Sequence, residues 1–322
     1  NYRFAQTTRH GSQHQDNLFA SDFFPFNSVP QVDPLTGQKG DSFRALRTRG
    51  HLPKVFFTET SAEYWSRAAS LLHTDTVGKT DAGIDPNLRL YFFTGAQHGV
   101  SGSTSRGIYR NPTNDLNHYP LLRALLVALD RWVTSGVEPP PTAVPRIDDG
   151  TLVELATWRK QFPDVPGMTR SGIMFRPLRL DPGPRWFTQG IADHVPPKIG
   201  PAYNTLVPAV DSDGIERAGI KLPRVSVPLG AYSGWNVRGK RGGAEGMLGR
   251  FTGSWMPFAR TKKERQASGD PRRSVQERYP TRADYISKIA AAVLDLRRRK
   301  LLLDEDALRI LEKSRRHELW SR

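Results

Sequence analysis

Two short apolar runs stand out along the chain, each bounded by turn formers. Val55-Phe56-Phe57-Thr58 follows Pro53, and Arg89-Leu90-Tyr91-Phe92-Phe93 lies between Asp85-Pro86 and Gly95. Runs of this length, rich in β-branched and aromatic residues, predict buried strands. Around them the spacing becomes helical. Phe43 and Leu46 predict a short helix over Asp41 to Arg49 that stops near Gly50. Thr60 and Glu63 form a T-x-x-E capping box opening a helix that carries Tyr64, Trp65, Ala68, Ala69, Leu71 and Leu72. From about Tyr119 to Thr134, the residues Leu121, Leu122, Leu125, Leu126, Leu129 and Trp132 fall to one face of a long helix ended by Gly136. Strands alternating with covering helices predict an α/β sheet.

The flanking segments are patterned differently. Residues 1–34 mix aromatic, His, Gln and Pro residues without helical period, so loop with short strands is expected, anchored by Ser21-Asp22-Phe23-Phe24-Pro25-Phe26. Pro139-Pro140-Pro141 opens a stretch of short apolar runs and Gly-Pro turns, in which Asp211-Ser212-Asp213-Gly214 predicts a hairpin turn between Leu206 to Val210 and Ala218 to Ile220. Beyond Ser274 the pattern is helical: Thr281 caps a helix over Ala283 to Arg299, and Asp304-Glu305-Asp306 opens another over Ala307 to Arg316. The expected organisation is a sheet-bearing part over residues 1–138, a loop-rich elaboration with short strands over 139–273, and C-terminal helices over 274–322.

Composition narrows the class. At 322 residues, 37% hydrophobic and 25% charged, the chain can bury a substantial core. No apolar run approaches the roughly 20 residues that span a bilayer. The absence of cysteine excludes disulfides, thiolate nucleophiles and Cys-ligated zinc. The formal charge of +15 is concentrated late, at Arg238 to Arg241, Arg260 to Arg265, Arg272-Arg273, Arg297 to Lys300 and Arg315-Arg316. Such a field attracts polyanions, and a non-catalytic polyanion-binding or structural protein is therefore the alternative function. The clusters lack interleaved aromatics for base stacking, and Arg297 to Lys300 ends a predicted helix, where cations suit the dipole. Solvated surface is the expectation, and nucleic acid is not an expected partner.

The chemistry lies at the strand ends. The first run delivers Glu59 and, one turn later, Glu63; the second delivers Gly95-Ala96-Gln97-His98. Acid before histidine, each past the C-terminal end of a buried strand, is how a large group of hydrolases presents the last two members of a catalytic triad. A neutral imidazole is the natural base for a serine hydroxyl. Glu63 has a structural explanation in the capping box, whereas Glu59 has none, and from the residues alone either carboxylate can orient His98. No serine sits in a G-x-S-x-G turn. Ser101, Ser103 and Ser105 follow the histidine in a Gly/Ser loop, the wrong chain order for a nucleophile. His73, Asp75 and Asp81 suggest a metal-dependent hydrolase as a rival, as do His10 and His14, but neither set has the ligand pattern of a zinc site. With no phosphate-binding glycine motif either, neither cofactor nor metal is expected. Trp65, Phe187, Tyr203 and Trp235 are candidates to line an apolar pocket, with core packing as the simpler role.

Seven segments in order also resemble a known family: Asn1 to Gln6, Asp22 to Phe26, Glu63-Tyr64-Trp65, Ala69 to Asp75, Gly95-Ala96-Gln97-His98, Val207 to Asp211 and Gly234 to Arg238. Together they resemble a bacterial family of large α/β-hydrolase-domain proteins. The resemblance implies an α/β hydrolase whose C-terminal part this chain is, with the serine in a turn upstream of Asn1. It also implies Glu63 in E-Y-W as the acid, His98 in G-x-Q-H as the base, and hydrolysis of a small-molecule carboxylic ester. The missing N-terminal part of the same protein would then be the partner that completes the site.

Overall fold

Val55–Thr60 (β1) and Leu88–Phe93 (β2) pair in parallel without a register break, Val55 opposite Leu88 and Thr60 opposite Phe93. This is seen in a computed structural model that describes residues 23–249 and 251–316. Parallel pairing requires a crossover connection, here Ser61 to Asn87. The two strands differ in cover. β2 is almost wholly buried and is bonded on its other side as well: Ala143 donates to Leu90 O at 2.9 Å and Ile220 to Phe92 O at 2.8 Å. β1 is mostly half-buried and, among the described residues, pairs with no other strand.

The chain divides into two compact units. One takes in the described residues up to Leu52 together with Arg67–Asp85 and Phe175–Leu206; the other takes in Pro53–Ser66, Pro86–Met174 and Val207 onward. In the first, Phe24, Ala68, Leu71 and Tyr203 form a buried cluster with Phe26 against it, so the described part of the predicted aromatic anchor is core. Ser21 and Asp22 lie outside the described residues. Asp33 and Arg179 form a fully buried bidentate pair at 2.7 and 2.8 Å, and the guanidinium stacks on Tyr203 at 4.0 Å.

The second unit carries the parallel pair. Ser61–Ser66 (α1) leaves β1 directly. The expected longer helix through Leu72 is not formed: Ala68 takes a left-handed φ of 59°, which breaks the ladder, and Ala69–Leu72 is a separate 3-10 turn. Tyr119–Ser135 (α2) ends at Gly136 as expected, with φ 67°. Its buried stripe is Leu121, Ala124, Leu125, Ala128 and Trp132, whereas Leu126 is 68% exposed. At 3.6 residues per turn, Leu126 lies about 140° round the helix from Leu121, so the predicted face was too wide. Gly230–Ser233 (β3) pairs antiparallel with Ser254–Pro257 (β4), Ser233 opposite Ser254. Trp65, Trp158, Trp235 and Phe162 pack as an aromatic core, with Trp65 and Trp158 centred 4.7 Å apart.

The Asp211 turn forms, with Val210 bridged to Glu216 and the Asp211 carboxylate accepting from Asp213 N and Ile215 N. Its second arm differs from expectation. Only Glu216-Arg217 returns along the first arm, and Ile220 pairs in parallel with Phe93 instead. At the C-terminus, Arg282–Arg298 (α3) begins with a complete Thr281/Asp284 capping box. Asp304–Arg315 (α4) starts at Asp304, so its three acids occupy the first turn rather than precede it.

Candidate active site

The acid turn is set by Glu63 acting through both carboxylate oxygens. Oε2 accepts from the Thr60 backbone N–H at 2.7 Å and from the Thr60 hydroxyl, the back-bonding half of the predicted capping box. Oε1 meets Nδ1 of His98 at 2.5 Å. The capping bonds and the bond to the imidazole thus fall to different oxygens of one side chain. The Glu63 side chain is only 13% exposed and that of His98 is 56% exposed, so the acid is shielded while the ring faces outward.

Electrostatics separates the two candidate acids. Burial works to raise the Glu63 carboxyl, but the hydrogen bonds with His98 and Thr60 outweigh it and hold the group below the ordinary carboxylate range. Glu59 is half-buried and its carboxyl accepts no hydrogen bond from the described residues; burial and the adjacent Glu63 charge push it up to about 8. One carboxyl is an anion bonded to the imidazole, and its neighbour is held as the neutral acid. The structure joins Glu63 to His98 and leaves Glu59 beside them.

The histidine turn is fixed by backbone needs. Gly95 has φ 70°, a left-handed value that disfavours side chains, and a Cβ there would stand 2.9 Å from Cβ of Tyr232. Asn114 Nδ2 donates to Gly95 O at 2.7 Å and to Ser233 O at 2.9 Å, and Gln97 Oε1 accepts from Gly253 N at 2.9 Å. The ring itself packs on Phe251, with centroids 4.7 Å apart. His118, whose ring packs beside Phe93, is buried and lacks a partner for Nδ1 among the described residues; burial lowers its pKa.

Glu216 is the residue that sequence reasoning passed over. It is 3% exposed, Oε1 accepts from the Ser61 hydroxyl, and Oε2 accepts from Gly95 N at 2.7 Å. Burial pushes its carboxyl up to about 7, against the pull of Ser61, Gly95 and the Lys221 charge. Its only sequence signal is an acid placed just after a tight turn, which is weak.

A family model described as alpha/beta hydrolase domain matches residues 9–312. The chain belongs to the alpha/beta hydrolase domain family. No curated protein and no solved structure matches it. Membership places this alpha/beta hydrolase domain among hydrolases in general.

Several of the remaining candidates of the hydrolase domain have structural employment. Ser101 and Ser103 hydroxyls accept from the backbone of Ser103 and Ser105, respectively, within their own loop. Asp75 spends both oxygens on Val77, Lys79 and Thr80 of its own turn. His73 is buried, and Asp81 takes part in a backbone bridge with Thr74. His10 and His14 lie outside the described residues, as does the side chain of Phe187. Trp65, Tyr203 and Trp235 are 1%, 4% and 2% exposed, which makes them core. No described helix is long and apolar enough to cross a membrane.

Proposed function

We propose that this alpha/beta hydrolase domain supplies the acid and the base of a serine-type triad that hydrolyses a carboxylic ester, with the serine carried on a segment preceding Asn1 in a longer protein. The observation that carries the reading is the 2.5 Å contact between Glu63 Oε1 and His98 Nδ1. A carboxylate at Nδ1 fixes the tautomer in which Nδ1 holds the proton and Nε2 is the basic nitrogen. The absence of any G-x-S-x-G turn in this sequence supports a nucleophile from elsewhere.

In the proposed cycle, His98 takes the proton of the serine hydroxyl as its oxygen attacks the ester carbonyl. Glu63 stabilises the resulting imidazolium while remaining ionised. The imidazolium returns the proton to the departing alcohol, which leaves an acyl-enzyme. Water then loses a proton to His98, attacks the acyl carbon and releases the acid, with the serine oxygen reprotonated from the imidazolium. Glu59, protonated at neutral pH, takes no part in these proton transfers.

The test is hydrolysis of a panel of p-nitrophenyl acyl esters by the full-length protein and its His98→Ala variant. Activity that falls at least about 10³-fold in the variant supports the triad. Equal rates in both would overturn the assignment and bring the polyanion-binding alternative forward.

A further inference from the structure

The Glu63 to His98 bond joins two turns that are far apart in sequence, so something must hold those turns in mutual register. The bond's tolerance is small: at 2.5 Å it sits at the short end of the hydrogen-bond range, and a shift of about 1 Å in either turn takes it to the limit. The histidine turn is tethered by Asn114 and Gln97, but those tethers lead to Ser233 and Gly253 rather than to the acid turn. The parallel ladder aligns the strands up to Thr60 opposite Phe93; beyond it, among the described residues and outside the Glu63–His98 pair itself, a single side chain bonds both turns directly.

We propose that Glu216 is a positioning residue for the Glu63–His98 pair, a buried carboxylate that clamps the acid turn to the histidine turn. This rests on the pair being the acid and base of the proposed triad. Oε1 takes the hydroxyl of Ser61, two residues before Glu63, and Oε2 takes the backbone N–H of Gly95, three residues before His98. The acid-turn end is reinforced. Ser61 Oγ, having given its proton to Glu216, accepts from Gly234 N at 2.9 Å, and a Cβ on Gly234 would lie 2.1 Å from Ala62 N, so only glycine allows that approach. Ser61 opens α1, and Glu63 lies about 3 Å further along the helix axis, so a displacement of Ser61 is carried into the acid with little slack.

The clamp has a firm base. Glu216 sits on the return arm of the Asp211 hairpin, bridged to Val210, and the following residues run beside β2: the Thr94 hydroxyl donates to Ala218 O at 2.7 Å and Ile220 N to Phe92 O at 2.8 Å. A two-oxygen acceptor suits the task because both donors are themselves buried and each needs an acceptor. The ionised form serves both. Nothing in this arrangement places Glu216 against substrate or against the imidazole, so its role runs entirely through the two turns.

The consequence is measurable without turnover. In the neutral ring of a paired His98 the proton resides on Nδ1, and ring ¹⁵N NMR of the full chain reports which nitrogen carries it. Four variants are compared with wild type: Glu63→Ala, which severs the pair outright, and Glu216→Ala, Glu216→Gln and Ser61→Ala. The expected result is an Nδ1–H ring in wild type, a population of that form lowered about twofold or more in E63A and E216A, a smaller loss in S61A, and partial recovery in E216Q, which keeps one acceptor oxygen for Gly95. Should E216A fail to fold, E216Q and S61A carry the same comparison with smaller shifts. An unchanged tautomer in the folded Glu216 and Ser61 variants, with E63A responding, would overturn the clamp alone. A wild-type ring that is not Nδ1–H, or one indifferent to E63A, would overturn the pair and the clamp with it.

Discussion

The strand ends and the C-terminal helices use charge in opposite ways. At the ends of β1 and β2 the ionisable groups are few, and two shielded carboxylates are committed to named partners: Glu63 to His98 and Thr60, Glu216 to Ser61 and Gly95. In α3 and α4 the charges are many and, apart from the buried Asp306 that pairs with Arg123, mostly exposed and exchanged among neighbours. Arg297 meets Asp304 at 2.7 Å, while Arg298 and Arg299 share Asp295 at 2.7 and 3.3 Å. A net charge of +15 is the more conspicuous signal in the sequence, yet it is the sparse, buried charges whose protonation the fold controls. Buried, perturbed carboxyls clustered at strand ends make a candidate site, whereas exposed surface pairs contribute little.

The sharpest way to break this comparison is to neutralise the shielded acid. In the proposed longer protein that carries the serine, Glu63→Gln keeps the size of the side chain but removes the charge that would stabilise an imidazolium, and kcat for ester hydrolysis is expected to fall by about 10³–10⁴-fold. Glu59→Gln, at the end of the same strand, is expected to change kcat by less than about threefold, since that carboxyl is already neutral near pH 7. Steady-state rates on one p-nitrophenyl ester decide the matter, and a larger loss in E59Q than in E63Q would exchange the roles of the two acids.

A second expectation separates the acids by stability. Glu59 has a folded pKa of about 8 against an ordinary 4.5, so the folded chain holds the proton more tightly than the unfolded one. Its contribution is complete below pH 4.5 and is lost as the pH climbs through 8. At about 1.4 kcal/mol per unit, discounted for partial exposure, wild type should lose about 2–4 kcal/mol through this group. Urea unfolding at pH 4.5, 7 and 9 should show E59Q gaining on wild type as pH rises. Parallel curves for the two proteins would mean that the Glu59 carboxyl is solvated and normal.

How much of this was written in the sequence depends on how local each feature is. The two strands, the Gly95 turn and the acid-then-histidine order are properties of neighbouring residues and were legible. Which of Glu59 and Glu63 bonds His98 was not, because a capping bond and a bond to the imidazole look like rivals until the carboxylate is seen to spend one oxygen on each. Glu216 was invisible for a stronger reason: its two donors lie 155 and 121 residues away. Arg272 and Arg273 make the same point within one basic cluster. Arg272 is 2% exposed and bonded to Asp270, Met256 O and Pro257 O, while its neighbour is exposed. A run of like charges does not say which member the core will claim. The break at Ala68 was hidden similarly, since alanine is a strong helix former and its left-handed backbone answers to packing rather than propensity.

The smallest effect is expected where charge is densest. Side chains of Arg297, Arg298 and Arg299 are 41%, 80% and 45% exposed, and exposed pairs of this kind repay little of the entropy spent in forming them. Changing each to Gln should alter stability by no more than about 0.5 kcal/mol and leave ester hydrolysis untouched. The same triple variant also tests the polyanion alternative. A field that binds nucleic acid or anionic lipid releases counterions, so affinity for a heparin column or a single-stranded oligonucleotide would fall steeply with salt and drop when the three charges are removed. If the helices are solvated surface, retention is weak at about 150 mM salt, an ionic strength that screens exposed charges within about 8 Å, and the triple variant elutes with wild type. Tight retention that the three substitutions abolish would make the helices, rather than the strand ends, the part of this chain that meets a partner.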